Sequence, residues 1–369
     1  MAEVKTRNYG VDLLRIVSML MVVVLHVLGQ GGVLKSSPFL GPTYAAAWLL
    51  ELACYCSVNT YALISGYVGY ESRFRLANLA VICLQATVYT LGVFLLRAVL
   101  RPGSVGLADV PSAAFPYLYA EFWYVTAYFC MFFFIPFMNT LVRALDRRGT
   151  VLLIVVIIVL CAGLPMAMRK DYFRMRGGHS VLWLALLYLL GASLKKLRLE
   201  GRFRTCTLAC GYALAVVVSW LGKLAVEWTR RRLTGVSAES NWFVSHTTPL
   251  HLLAAIFLLL CFAQARPGRR LVKFTAFFAP AAFGVYLIHE EKRINSAFVV
   301  NRFLPLAAMP WPLMMLCALG GALGIWLVCS LLDKARAFVF QKLRVRERLI
   351  AVEERLRAAL AKRLPAPEE

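Results

Sequence analysis

Arg15 and His26 are ionisable side chains inside a stretch that otherwise reads as hydrocarbon. Both lie in the first long apolar run, Val11 to Gly29. Placing a charged guanidinium at the centre of a bilayer costs at least about 2.5 kcal/mol, so such a residue marks a functional site or a polar cavity. Eleven helical residues turn through about 1,100°, which puts the two side chains within ~20° of each other and about 16 Å apart along the axis. Asp12, three residues before Arg15, can neutralise it. A neutral imidazole takes a proton from a hydroxyl near pH 7, and a guanidinium binds a phosphate or carbonyl oxygen. A histidine packed against a neighbouring helix and a purely structural arginine are the competing readings of the same residues.

The elements that would hold this stripe follow from composition. The side chains AVILMFWYC make up 60% of 369 residues, only 16% are charged, and mean hydropathy is +0.69. Soluble domains contain less apolar surface, so the chain reads as an all-α polytopic membrane helix bundle. Windows of about 20 apolar residues fall near 11–29, 43–68, 77–99, 119–141, 150–168, 180–194, 206–226, 247–264, 273–289 and 306–332, about ten transmembrane helices. Lys5 and Arg7 precede the first window as in a signal peptide, but Asp12 and Arg15 interrupt it, so it is expected to be a retained span. The division expected is a membrane-embedded domain over 1–333 and a basic tail over 334–369. Leu343, Leu349, Val352, Leu356 and Leu360 give the tail the spacing of an amphipathic helix lying on the inner membrane surface.

The net charge of +22 would suggest nucleic acid in a soluble protein. Here most of the 41 Lys and Arg fall in segments on the amino-terminal side of the spans, which places both termini in the cytoplasm and excludes a nucleic-acid partner. Arg230, Arg231 and Arg232 fall on the opposite side, where they suit an anionic ligand or simply a solvated loop. The ten cysteines sit in or beside apolar runs without metal-site spacing, so no metal is expected. The sequence has no G-x-S-x-G elbow, P-loop, H-E-x-x-H or dinucleotide fingerprint. Of five histidines, His26 alone lies deep in an expected span, the others being His179, His246, His251 and His289.

Four segments in order carry a resemblance. Val11-Asp12-Leu13-Leu14-Arg15 continuing to Leu25-His26 looks like the first-span signature of the acyltransferase-3 family of multispan membrane O-acyltransferases. Asn59 to Tyr67, ending in Ser65-Gly66-Tyr67, resembles that family's second-span ending. Phe122 to Tyr128 resembles its Trp-containing fourth span, closed by Pro136 to Asn139. Phe283-Gly284-Val285-Tyr286-Leu287-Ile288-His289 resembles its late Phe-Gly-x-Tyr-x-x-His element. The family commonly continues with Asp-Asn, where this chain has Glu290-Glu291.

The resemblance implies transfer of an acyl group, usually acetyl, from acetyl-CoA to a carbohydrate hydroxyl of a cell-envelope or lipid-linked glycan, in a bacterial inner membrane. Under it, His26 is the base and Arg15, held by Asp12, fixes a donor phosphate or carbonyl. Arg73, Arg75 and Ser65 serve the donor, or the two arginines serve topology alone. Trp123 and Tyr124 form a sugar- or acyl-facing wall or an interfacial aromatic belt. Tyr286 and His289 bind acceptor hydroxyls or mark a helix end among headgroups. Recognition of the acceptor, a carbohydrate or glycolipid, falls to the loops 30–42, 169–179 and 223–246, or to a lipid carrier. A proton-coupled glycan or solute transporter is the alternative, since intramembrane Arg, Asp and His suit carriers too. The absence of pseudo-symmetric halves weighs against it.

Overall fold

The computed structural model describes residues 7–363, and within them the chain is helical with no strand. In chain order the helices are α1 (Tyr9–Leu28), α2 (Val33–Ser36), α3 (Pro42–Cys54), α4 (Ser57–Gly69) and α5 (Leu76–Leu100). They continue as α6 (Val110–Ala114), α7 (Trp123–Phe132), α8 (Ile135–Ala144), α9 (Arg147–Val156), α10 (Leu164–Met168) and α11 (Val181–Leu197). The last are α12 (Thr205–Thr234), α13 (Pro249–Ala263), α14 (Arg269–Phe278), α15 (Ala282–His289), α16 (Lys292–Phe298), α17 (Trp311–Lys342) and α18 (Val345–Arg363).

Among the described residues seven stretches are long and apolar enough to cross a membrane, and an eighth is counted if α7 and α8 form one span bent by 60°. Pro136 in the first turn of α8 has no N–H to continue the ladder, which explains the break. The other two expected windows correspond to α11 and α13, of 17 and 15 residues, short of the ~20 that a full crossing needs. The number of crossings legible by length and composition is therefore seven or eight, two to three below the expected ten.

α1 is the axial helix. It is packed by α3, α4, α13, α15 and α17, and its apolar window is 72% buried, against 17% for the window Arg147–Met168. Asn8 caps it by accepting from Val11 N–H at 3.1 Å, and Asp12 puts an acid in its first turn. The helix thus begins at a defined register, which fixes where Arg15 and His26 point. The side of the bundle where α1 begins is called here the near face, and the side where it ends the far face.

α4 lies against α11 at backbone distance. A Cβ on Gly66 would fall 2.0 Å from the Tyr188 carbonyl oxygen, and one on Gly191 2.1 Å from that of Leu63. The missing side chains of Gly66 and Gly191 are what let the two helix backbones come this close. At the near face α18 docks on the start of α5: the Glu353 carboxylate accepts from Leu76 and Ala77 N–H at 3.2 and 3.0 Å, capping that helix in trans. α17 runs unbroken through residue 334, and α18 leaves Val352, Leu356 and Leu360 exposed. Lys5, and tail residues 364–369, lie outside the described residues.

Candidate active site

The far end of α1 meets the carboxyl end of α15. His289 Nδ1 lies 2.5 Å from the carbonyl oxygen of Val285, one helical turn back, so Nδ1 carries a proton and donates it. That leaves His289 Nε2 as an acceptor, and it sits 2.8 Å from His26 Nδ1. His26 must then be protonated on Nδ1, and its Nε2 bears the free lone pair. The backbone thus sets the tautomer of both rings. Glu290 completes the group, with Oε1 3.3 Å from His26 Nδ1. The same oxygen accepts from Gln30 at 3.0 Å and Asn295 at 2.9 Å. Asn295 also donates to Gln30 at 2.6 Å and to the His289 carbonyl at 3.2 Å. Glu291 caps α16 through Arg293 and Ile294 N–H, which holds residue 290 in the turn between α15 and α16. Burial raises the Glu290 carboxyl above its ordinary range.

His26, His289 and Glu290 offer ligand atoms within 4.8 Å of one another, the spacing of a possible cation site. The two ring nitrogens stand 2.8 Å apart. Two nitrogens on one tetrahedral zinc, each at 2.0–2.1 Å, stand about 3.3 Å apart. The observed separation is that of a hydrogen bond.

His26 lines a cavity of about 80 Å³ together with Tyr61, Trp123, Tyr124, Phe283 and Tyr286. The phenol oxygens of Tyr124 and Tyr286 are buried and have no hydrogen-bond partner of good geometry among the described residues. Two further histidines reach this cavity from far-face loops. His246 Nδ1 is 3.0 Å from the Tyr55 carbonyl and its ring stacks on Tyr55 at 4.5 Å. Burial, with His179 nearby, pushes its pKa down to about 3. His179 packs on Trp123 at 4.4 Å, and burial lowers it as well. Both imidazoles are therefore neutral at pH 7. His251 stands behind them, 2.9 Å from the Ser245 carbonyl and with its ring tilted against Tyr55 at 4.9 Å.

Arg15 opens on a different cavity, about 340 Å³ at the near face, lined also by Arg7, Asp12, Tyr67, Glu71 and Lys195. Asp12 is 4% exposed and pairs with Arg15 and Arg7, each at 2.5 Å. Lys195 bonds Glu200 at 3.2 Å, and Glu200 also accepts from the Tyr67 hydroxyl. Met19 lines the His26 cavity one turn beyond Arg15, so the two cavities follow one seam between α1 and α4.

The expected residues divide between these two places. His26, Trp123, Tyr124 and Tyr286 share the small cavity, and Arg15 and Asp12 the large one. His289 is 1% exposed and touches His26 rather than open space. Ser65 sits between the cavities on α4, its hydroxyl donating to the Tyr61 carbonyl at 3.3 Å. Arg73 is exposed beside Ser72, a lining residue of the near-face cavity, while Arg75 pairs with Glu354 of α18 at 3.3 Å. Arg230, Arg231 and Arg232 are exposed at the end of α12, away from both cavities. The loop histidines His179 and His246, and the clamp Gln30–Glu290–Asn295, were not expected. Only the Glu290-Glu291 departure hinted at them; the rest depends on loop folding.

A membrane-embedded helix bundle with a tautomer-defined imidazole facing a ring-walled cavity is built for proton transfer to or from a hydroxyl. A family model described as an acyltransferase domain, that of the acyltransferase-3 family, matches residues 8–331, and the chain belongs to that family. It is a membrane acyltransferase. No curated protein and no solved structure matches it.

Proposed function

We propose that the protein moves an acyl group, acetyl in the simplest case, from a coenzyme A thioester to a carbohydrate hydroxyl of the cell envelope. The observation that supports this most is the lone pair left on His26 Nε2 by the chain Val285–His289–His26. The acceptor O–H gives its proton to that nitrogen as its oxygen attacks the thioester carbonyl carbon. The tetrahedral intermediate collapses, the C–S bond breaks, and the departing thiolate takes the proton back. An ester and a free thiol leave, and His26 is regenerated. While His26 is an imidazolium, His289 Nε2 and the Glu290 carboxylate stabilise its Nδ1–H. The orphaned phenols of Tyr124 and Tyr286 are suited to donate to the oxyanion, and Trp123 walls the acyl or sugar group.

The donor enters from the near face, which this reading makes cytoplasmic in a bacterial inner membrane. Its phosphates meet Arg15, Arg7 and Lys195, with Arg73 and Arg75 at the rim and Ser65 along the pantetheine path. Asp12 keeps Arg15 and Arg7 converged on one point. The acceptor comes from the far face, as a polysaccharide or glycolipid.

The test uses purified full-length protein with acetyl-CoA and envelope glycan, following free thiol and, by mass spectrometry, the acylated sugar. The wild type releases thiol in step with sugar ester. His26→Ala loses about 10²- to 10⁴-fold of this rate while its thermal unfolding midpoint holds. Transfer at the wild-type rate by the folded variant removes His26 from the mechanism.

A further inference from the structure

On the far face a second cavity, of about 290 Å³, opens beside the His26 cavity between the loop that follows α10 and the loop that precedes α13. Its walls combine two cations, Arg169 and Lys170, with the amide of Asn241, the indole of Trp242 and the hydroxyls of Ser245 and Thr247. Trp242 is fixed, its Nε1 donating to the Met166 carbonyl at 2.9 Å, and the Arg169 guanidinium lies 5.0 Å from its ring centre. The acid in the lining, Asp171, spends its two oxygens on Met175 and Arg176 N–H, each at 2.8 Å. Both basic side chains remain exposed.

The backbone here is held under constraint. Arg169, Arg174 and Arg176 have φ of 52°, 50° and 50°, a region that side chains rarely occupy. A π-helical segment, Ile157–Gly163, precedes Pro165 and brings Cys161 and Met166 to the cavity wall. The segments 177–179 and 245–246 run between this cavity and the active-site cavity, with Gly177 and Ser245 lining the one and His179 and His246 the other. Gly177 O accepts from His246 N–H at 3.1 Å and Ser245 Oγ at 3.3 Å, and His246 and His179 face His26. A ligand seated here stands next to the proposed base.

Cations, an amide, hydroxyls and a fixed aromatic plate together recognise a saccharide that carries an anion. An apolar ligand would leave the cations unpaired, and a neutral sugar would not use them. We propose that this cavity is the acceptor subsite and that its ligand is an acidic saccharide, its carboxylate or phosphate on Arg169 and Lys170 and a ring face on Trp242. The inference rests on the acyltransferase reading for the word acceptor, but binding can be measured without any acyl donor.

The experiment titrates full-length protein in detergent, without coenzyme A, with a glucuronate-containing disaccharide, the neutral glucose disaccharide of the same linkage, and glucose 1-phosphate. The acidic probes are expected to bind at least ten times tighter than the neutral one, and more weakly as salt rises. Preference for glucuronate over the phosphate assigns a uronic acid, and the reverse a sugar phosphate. The double variant Arg169→Ala/Lys170→Ala should lose the tenfold preference, and Arg169→Lys should keep most of it. Equal affinity for acidic and neutral probes, no binding of any probe, or an unchanged preference in the double variant overturns the proposal. Acidic-probe binding in a protein that releases no thiol from acetyl-CoA would sink the acetyl-CoA donor of the proposed function and leave the saccharide site standing.

Discussion

At the near face, Asp12 draws two arginines around a cavity of about 340 Å³; at the far end of the same helix, His26 faces one of about 80 Å³ walled by rings. The first holds formal charges in partial contact with water, Arg15 being 31% exposed along its side chain. The second holds neutral imidazoles whose protons are placed by backbone carbonyls. Charges in a wet site attract and orient a polyanion, but each contact is screened and replaceable. A neutral base in a small ring-walled site contributes through geometry, where a displacement of about 1 Å costs ~10²-fold in rate. Under the proposed function, one helix separates binding from chemistry by about 16 Å.

If that division holds, substitutions at the two ends fail in different ways. After His26→Ala, the largest rate effect belongs to His289→Ala. It removes the acceptor that orients His26 Nδ1–H, so kcat should fall by about 10²-fold with the donor KM unchanged. His289→Gln, which retains an acceptor, should recover part of the loss. A merely structural histidine would show no such rescue. Arg15→Gln should do the opposite, raising the donor KM roughly tenfold, the loss of one charge-assisted contact, with kcat close to wild type. A kcat loss at Arg15 with unchanged KM would erase the distinction between the two cavities.

Much of this was legible in the sequence because α1 is a regular helix with a capped start. Arg15, His26 and Asp12 could be placed on one face by arithmetic alone. Seven or eight of the ten expected crossings meet the length and composition of a span among the described residues, and the windows at α11 and α13 hold shorter helices of 17 and 15 residues. The far-face chemistry was not legible. His179 and His246 lie 67 positions apart in loops of no periodicity, and the bonds of His246 N–H and Ser245 Oγ to Gly177 O bring them together. Helix spacing places His289 beside Tyr286, as expected; its contacts with the Val285 carbonyl and His26 depend on how α15 meets α1, which no spacing shows.

A stability measurement separates the packing that supports the two cavities. Gly66→Leu would drive a side chain into the Tyr188 backbone, which cannot yield without parting α4 from α11. Overpacking of this kind costs about 1–3 kcal/mol, read as a lower unfolding midpoint in detergent. Since α4 lines both cavities, both the donor KM and kcat should worsen together, unlike the split expected for Arg15 and His289.

The smallest expected effect is one of pH. His246 has a pKa near 3 in the folded protein, below the ordinary 6.5, because its site is closed to water. Between those two values the unfolded chain binds more protons than the folded one. The stability that the neutral ring supplies is complete above about pH 6.5 and is lost progressively as pH falls toward 3. Carboxylates also weaken the fold in acid, so the informative quantity is a difference. Comparing unfolding midpoints at pH 7.5 and 5 for the wild type and His246→Asn, the variant should decline less, since Asn cannot take up the proton. The near-face pair offers a control: Arg7→Gln removes a charge that does not titrate in this range, so it should shift the midpoint equally at both pH values. Parallel curves for wild type and His246→Asn would mean that the far-face cavity admits enough water to charge the ring. The contrast between a wet binding end and a dry chemical end would then fail at His246 first.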